Sequence, residues 1–294
     1  MLCRASQRAI PALSRRRSAS DRRLAGLGVA LLLGLALVGP GGAADPPIFK
    51  DPRLENAVRK FVFGKRDNHD PLTAADLVNL STIQAAGQGI TDLSGLEKCA
   101  NLASLDVSGN RILNLRPLAT LVGLEYLNLA GNQAADLKPL AGIAALQYLE
   151  LSHNRVQHLE PLLMLTNLTS LYLSDNRVSD LSPLLQLPRL TTLYLDHNQI
   201  KSIRGINTLT NLSSLSLSHN AVAELSPLEG LTGLYYLFLE NDRIRDLGPL
   251  IDMTRRDFKG EKRFAPFLNV YLKGNPIPRS QIDRLTAVGP RVDF

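Results

Sequence analysis

The chain has 294 residues, 45% of them hydrophobic and 20% charged, and is long for one compact core. Its formal charge of +6 is a poor guide to partners: seven of the 33 bases but one of the 27 acids lie in residues 1–44, which leaves 26 of each from Asp45 onward. A neutral body gives no charge-driven grip on nucleic acid. The two cysteines, Cys3 and Cys99, leave no internal disulfide once Cys3 is removed.

Residues 1–44 read as a signal peptide: an arginine-rich start, an apolar run from Leu24 to Val38, and small residues before Asp45 that suit cleavage after Ala44. The run is short for a membrane span. Export to the periplasm or the exterior is expected. A mitochondrial presequence over Met1–Arg23 and a twin-arginine export signal at Arg22 and Arg23 are rival readings.

Residues 45–79 read as an N-terminal helical cap. Asp51 before Pro52 is an N-cap followed by proline at the first helical position; Leu54, Ala57, Val58 and Phe61 follow at helical spacing, and Gly64 closes the helix. A second short helix starts at Thr73, with Asp76 completing a capping box.

From Leu80 a leucine recurs every 22 residues, at Leu102, Leu124, Leu146, Leu168, Leu190, Leu212 and Leu234. Each opens the pattern L-x-x-L-x-L-x-x-N-x-I/V-x-x-L-x-P-L-x-x-L. A unit this short cannot bury its apolar face alone and must stack on its neighbours. The third to seventh residues are expected to form a strand, with positions 4 and 6 (Leu105 and Val107, Leu127 and Leu129) pointing inward and positions 3, 5 and 7 outward. Position 9 is asparagine at 110, 132, 154, 176, 198, 220 and 275, where an amide satisfies backbone groups in the turn leaving the strand; Gln88 and Asp242 depart. Pro117, Pro139, Pro161, Pro183, Pro227 and Pro249 disfavour a long helix on the return side and leave room for turns or a 3₁₀ stretch. Cys99 falls in a column of Leu121, Ile143, Leu165, Leu187, Leu209, Leu231 and Met253, and is read as core.

The period breaks once. An insertion at residues 255–266 precedes a ninth repeat, 267–277, opening at Phe267, so the repeats span 80–277; residues 278–294 read as a helix and tail capping the end. The D-L-x-P-L return, the capping segment and the N-P-I close at Asn275 to Ile277 resemble bacterial internalin-like leucine-rich repeats and those of a phosphatase-regulating subunit. The resemblance covers residues 51–294. It implies an α/β solenoid, a leucine-rich-repeat horseshoe with short parallel strands on the concave face, turns or 3₁₀ segments on the convex face and helical caps. It also implies protein-protein contact.

The 22-residue frame sorts the candidate functional residues. All seven tyrosines fall on concave columns: Tyr126, Tyr148 and Tyr236 at position 3, Tyr172, Tyr194 and Tyr271 at position 5, Tyr235 at position 2, with Phe238 beside them. Tyrosine dominates interface hot spots; it also suits exposed strands without any partner. Across the first eight repeats, positions 2, 3, 5, 7 and 8 hold no lysine or arginine and six acids, Asp106, Glu125, Glu150, Asp175, Asp196 and Glu240. The proposed contact residues are Tyr126, Tyr148, Glu150, Tyr172, Asp175, Tyr194, Asp196, Tyr236, Phe238, Glu240 and Tyr271.

His153, His197 and His219 share position 8 with Asp175, but a metal needs three or four converging ligands, and exposed polar residues at a strand end are the preferred reading. Arg111, Arg155, Arg177 and Arg243 recur at position 10, and local pairing with Asp180 and Asp246 is expected. The insertion carries Arg255, Arg256, Lys259, Lys262 and Arg263 among Phe258, Phe264 and Phe267. No phosphate loop, nucleophile elbow or zinc-protease motif appears. The expectation is a monomeric, non-enzymatic module, without cofactor or metal, that binds a protein or peptide ligand bearing a basic patch. It makes no nucleic-acid contact and meets a membrane only through the insertion. The alternatives are an envelope-associated assembly protein using that insertion and an intracellular phosphatase-regulating subunit.

Overall fold

Three residues per repeat are enough to build the sheet. The computed structural model describes residues 47–260 and 262–294; the proposed signal segment lies outside them. Ten strands, β1 (Thr82–Gln84), β2 (Ser104–Asp106), β3 (Tyr126–Asn128), β4 (Tyr148–Glu150), β5 (Ser170–Tyr172), β6 (Thr192–Tyr194), β7 (Ser214–Ser216), β8 (Tyr236–Phe238), β9 (Asn269–Tyr271) and β10 (Arg291–Asp293), form one parallel sheet in chain order. Each covers positions 3 to 5, shorter than the five residues expected. The middle residue points into the core: Leu105, Leu127, Leu149, Leu171, Leu193, Leu215 and Leu237 are all buried. Neighbouring strands pair one period apart, as in Ser104 with Tyr126 and Tyr126 with Tyr148.

On the return side, 3₁₀ segments follow the strands, and in Arg116–Leu118, Lys138–Leu140, Glu160–Leu162, Ser182–Gln186 and Ser226–Leu228 the repeated proline sits in the first turn, where its missing N–H costs nothing. Position 13 supplies the entry. Asp180 accepts from the Ser182 amide at 2.9 Å and hydroxyl at 2.8 Å, and Asp246 accepts from the Gly248 amide at 2.8 Å. These acids serve turns, and the pairs expected between Arg177 and Asp180 and between Arg243 and Asp246 are absent among the described residues.

The asparagine column forms a buried ladder. The Nδ2 of Asn132 donates to the carbonyls of Leu129 and, one repeat back, Val107, each at 3.0 Å, while its Oδ1 accepts from the Ile112 amide at 2.9 Å. One side chain thus satisfies backbone groups of two repeats that no water reaches. Cys99 is fully buried in the leucine column, and burial pushes its thiol up to about 12, which leaves it a small hydrophobe.

At the N-terminal end, helix α1 (Pro52–Arg59) closes five residues before Gly64, and α2 (Ala74–Leu77) starts from the Thr73–Asp76 capping box. The Asp51 carboxylate caps α1 through the Arg53 amide at 2.9 Å and accepts from the Thr91 amide at 2.8 Å and hydroxyl at 3.1 Å, tying the cap to the first repeat. Gly95 allows Phe49 to close in: a Cβ there would stand 2.5 Å from the Phe49 ring.

The C-terminal end differs from expectation in three ways. The break in the period is occupied by α3 (Gly248–Lys259), a helix in place of the 3₁₀ segment, followed by a turn. The Asp257 carboxylate organises that turn by accepting from the amides of Arg263, Phe264 and Ala265 at 3.2, 3.0 and 2.8 Å. Phe264 and Leu268 are buried, whereas Phe267, read as the opening core residue of the ninth repeat, is 54% exposed. Beyond α4 (Arg279–Thr286) the tail adds β10, with Val292 opposite Val270 at the same 22-residue offset as the other repeats.

Candidate functional site

The outward face of the sheet displays the residues at positions 3 and 5. Strand spacing in a parallel sheet is about 4.8 Å, close to the separation of stacked aromatic rings, so the same column in consecutive repeats brings rings into contact. Tyr126 and Tyr148 stack with centroids 4.5 Å apart and planes at 12°. At β5 the aromatic shifts from position 3 to position 5: Tyr148 meets Tyr172 at 5.3 Å with planes at 44°, and Tyr172 meets Tyr194 edge-on at 5.3 Å. Tyr194 reaches past β7 to Phe238 at 6.1 Å, and Phe238 stacks on Tyr271 at 4.5 Å. Tyr236 joins through Phe238 at 6.3 Å. Six of the proposed residues therefore form one diagonal aromatic line from β3 to β9, with Tyr236 on its flank.

The step over β7 depends on serines. The Tyr194 hydroxyl bonds Ser214 Oγ at 3.0 Å, and Ser216, opposite Tyr194 in the strand register, leaves room for the ring to reach Phe238. Tyr235 and Tyr236 are 49% and 47% exposed at the C-terminal end of the line.

The acids play unequal parts. Asp196 is held by the hydroxyls of Ser174 (2.9 Å) and Ser216, and Asp175 lies 3.3 Å from His153 Nδ1. The backbone of Glu240 is fixed by Ser218 Oγ and the His219 amide. Glu150 accepts from the Ser152 amide at 2.7 Å through Oε1 and stands opposite Tyr172 in the strand register, two residues from Tyr148 on the same strand. Burial first, then the negative charge of Glu150, holds the Tyr148 hydroxyl above the usual tyrosine range; burial, then Tyr194 and Glu150, raises Tyr172. Both phenols remain neutral donors at physiological pH.

The position-8 column has a backbone reason that the residue types signal and the sequence reading overlooked. Gly87, Gly109, Gly131, His153, Asp175, His197, His219, Asn241 and Gly274 all take positive φ, between 52° and 80°. Glycine, asparagine, aspartate and histidine tolerate that left-handed turn. His197 and His219 stack at 4.0 Å, and no group of three or more potential metal ligands occurs among the described residues. In the insertion, Arg256 pairs with Glu229 at 2.6 Å, Arg255 with Asp252 at 3.2 Å, and Lys262 lies 5.1 Å over the Phe258 ring, so much of its basic character is engaged locally.

Leucine-rich-repeat family models match the chain: a two-copy repeat model at residues 144–186, 166–208, 188–220 and 210–252, and a second repeat model at 100–156. Among solved structures, internalin C2 of Listeria monocytogenes is 33% identical, with 70% of this chain and 91% of that one covered and a TM-score of 0.67. The functional domain of InlJ from Listeria monocytogenes is 23% identical over 81% of this chain and 53% of that one, TM-score 0.65. The plant peptide hormone receptor RGFR1 in complex with RGF2 is 20% identical over 62% and 30%, TM-score 0.52. These last two likenesses concern the fold alone. No curated protein sequence matches the chain. No helix among the described residues is long and apolar enough to cross a membrane.

Proposed function

This chain belongs to the internalin-like leucine-rich-repeat proteins, and from that membership we propose that it is a non-enzymatic module that binds a protein or peptide ligand outside the cytoplasm through its concave face. The observation that carries the reading is the aromatic line from Tyr126 to Tyr271, six rings in a continuous series of contacts on the outward face of the sheet. Rings held by their neighbours lose little entropy when a partner covers them, and each brings a large apolar area with a polar edge. Ladder packing alone would account for stacked rings at one column. It gives no reason for the line to change columns at β5, or for its flank to leave Tyr235 and Tyr236 half-exposed.

The reading extends to Glu150, Asp175, Asp196 and Glu240 as acidic contacts, to a basic patch on the ligand, and to a monomer as the binding unit. That a peptide hormone receptor of the same fold is found in complex with RGF2 supports a protein or peptide ligand. The insertion is left outside the site, because two of its arginines are already paired.

The test is crosslinking capture from the native host with the full-length chain, comparing wild type with a variant carrying Tyr148→Ala, Tyr172→Ala and Tyr194→Ala together. The variant is expected to melt cooperatively and to lose the captured partner. Equal capture by the two proteins would remove the concave face from the function.

A further inference from the structure

The aromatic line is not uniform, and its one change of column coincides with an acid. Tyr126 and Tyr148 cover each other almost face to face at 12°, but Tyr148 and Tyr172 are tilted at 44° and so do not cover each other face to face, and both are only partly buried. Glu150 is the residue opposite Tyr172 and two along from Tyr148 on the same face. Of its two oxygens one is fixed by the Ser152 amide, which holds the carboxylate in place without neutralising it. Asp196, by contrast, is bonded through both oxygens to serine hydroxyls. The surroundings contain no competing cation: positions 2, 3, 5, 7 and 8 of the first eight repeats lack lysine and arginine, and the first base on this face is Lys273 in the ninth. Arg189, on the rim, donates to Asn167 Oδ1 at 2.8 Å.

We propose that Tyr148, Tyr172 and Glu150 form a subsite for a guanidinium or ammonium side chain of an extended peptide lying across the strands. This rests on the concave-face reading above and specifies its ligand. Two aromatic faces and one carboxylate are the elements that attract an organic cation: the ring quadrupole draws the charge, and the carboxylate supplies a charge-assisted hydrogen bond. An anionic ligand finds no base on this part of the sheet. The line also sets a length. Six strand steps from β3 to β9 at about 4.8 Å span roughly 29 Å, which an extended chain covers in about nine residues. The cation then sits near the end of that segment lying over β4 and β5, with uncharged or aromatic side chains over Tyr194, Phe238 and Tyr271.

The experiment selects binders from a random nine-residue peptide library with the full-length chain, with Glu150→Gln and with the triple tyrosine variant. Glutamine keeps an oxygen for the Ser152 amide, so Glu150→Gln removes the charge and leaves the fold, which thermal melting checks. Wild type is expected to enrich one arginine or lysine, Glu150→Gln to recover binders without it, and the triple variant to recover none. For the best wild-type peptide, replacing that arginine by neutral citrulline should weaken binding to wild type by more than about tenfold, the carboxylate and the rings together, and weaken binding to Glu150→Gln by only about two- to fivefold, the share of the ring faces alone. Uncharged or acidic peptides from wild type, or an equal citrulline loss in both proteins, would overturn the cation subsite while leaving tyrosine-dependent binding intact. Binders that ignore the tyrosine substitutions, or no binders at all, would overturn the concave-face reading together with this one.

Discussion

At the scale of single residues, the ladder shows how much one atom decides. Seven asparagines use Nδ2 to bond the carbonyls of two repeats, as Asn220 does to Leu195 at 2.9 Å and Leu217 at 2.7 Å. Asp242 occupies the same position in the eighth repeat. Its Oδ1 accepts from the Val222 amide at 2.9 Å like any asparagine, but its buried Oδ2 has no partner. In the place where Nδ2 would donate, an ionised oxygen faces carbonyl oxygens, so the site favours the protonated acid. Burial accordingly raises its pKa from 3.8 to about 7, against the hydrogen bonds that lower it. The folded form holds the proton more tightly than the unfolded one; stability from this group is therefore intact below pH 3.8, declines between 3.8 and about 7, and is lost above that. Asp242→Asn completes the ladder at every pH. Chemical denaturation is expected to find the variant more stable than wild type, by roughly 3–4 kcal/mol more at pH 8 than at pH 4. A stability difference that does not change with pH would show that Asp242 stays ionised in the fold.

At the scale of elements, the ends behave differently from the middle, because an end repeat has one neighbour instead of two. Asp51 does at the N-terminal end what the asparagines do between repeats, joining α1 to the first repeat through the Arg53 and Thr91 amides and the Thr91 hydroxyl. Burial works against its charge, but those bonds outweigh it and hold its pKa below the usual carboxylate value, so its contribution is present at neutral pH and fades as pH falls through that lowered value. Asp51→Ala should cost about 2 kcal/mol, the combined loss of a cap and a buried acceptor. It should speed amide hydrogen exchange at Leu54, Ala57 and Val58 while leaving β4 to β9 unchanged; an even acceleration along the sheet would mean that the cap and the repeats open as one unit. The ends are also where the sequence was least legible. Leucine periodicity located β1 to β9 because every repeat buries the same columns. β10 carries one inward residue, Val292, and two exposed charged ones, Arg291 and Asp293, which suit an edge strand and leave almost no apolar pattern to read. Helix α3 was hidden because Pro249 sits where the other repeats place a 3₁₀ turn, and only the extra half period beyond it makes room for a helix. The candidate site was legible as columns, since side-chain alternation alone sorts the tyrosines onto one face. Its contacts were not, because the step past Ser216 depends on ring orientation, which no spacing encodes.

At the scale of the whole molecule, scaffold and surface are separable in a way a globular domain rarely allows. The strand of each repeat pairs only with those of its neighbours, so stability is close to a sum of local terms and one full period is removable without breaking register. Deleting residues 102–123 joins Asn101 to Leu124 and sets Gly131 where Gly109 lay against Gly87, with Asn132 offering its Oδ1 to the Ile90 amide as Asn110 does at 2.9 Å. No aromatic of the line is lost. Deleting residues 146–167 is the same operation on the backbone, but it removes Tyr148 and Glu150 and sets Tyr126 directly beside Tyr172's strand. Both proteins should melt cooperatively with midpoints close to each other, since each loses one leucine layer and one ladder amide. Only the first should retain the partner captured by wild type. If both lose it, ligand binding needs the full length of the sheet; if both keep it, the contact lies away from the fourth repeat. A deletion of eleven residues from either repeat should unfold the chain around the cut, because half a period sets leucine columns against solvent and strands against turns.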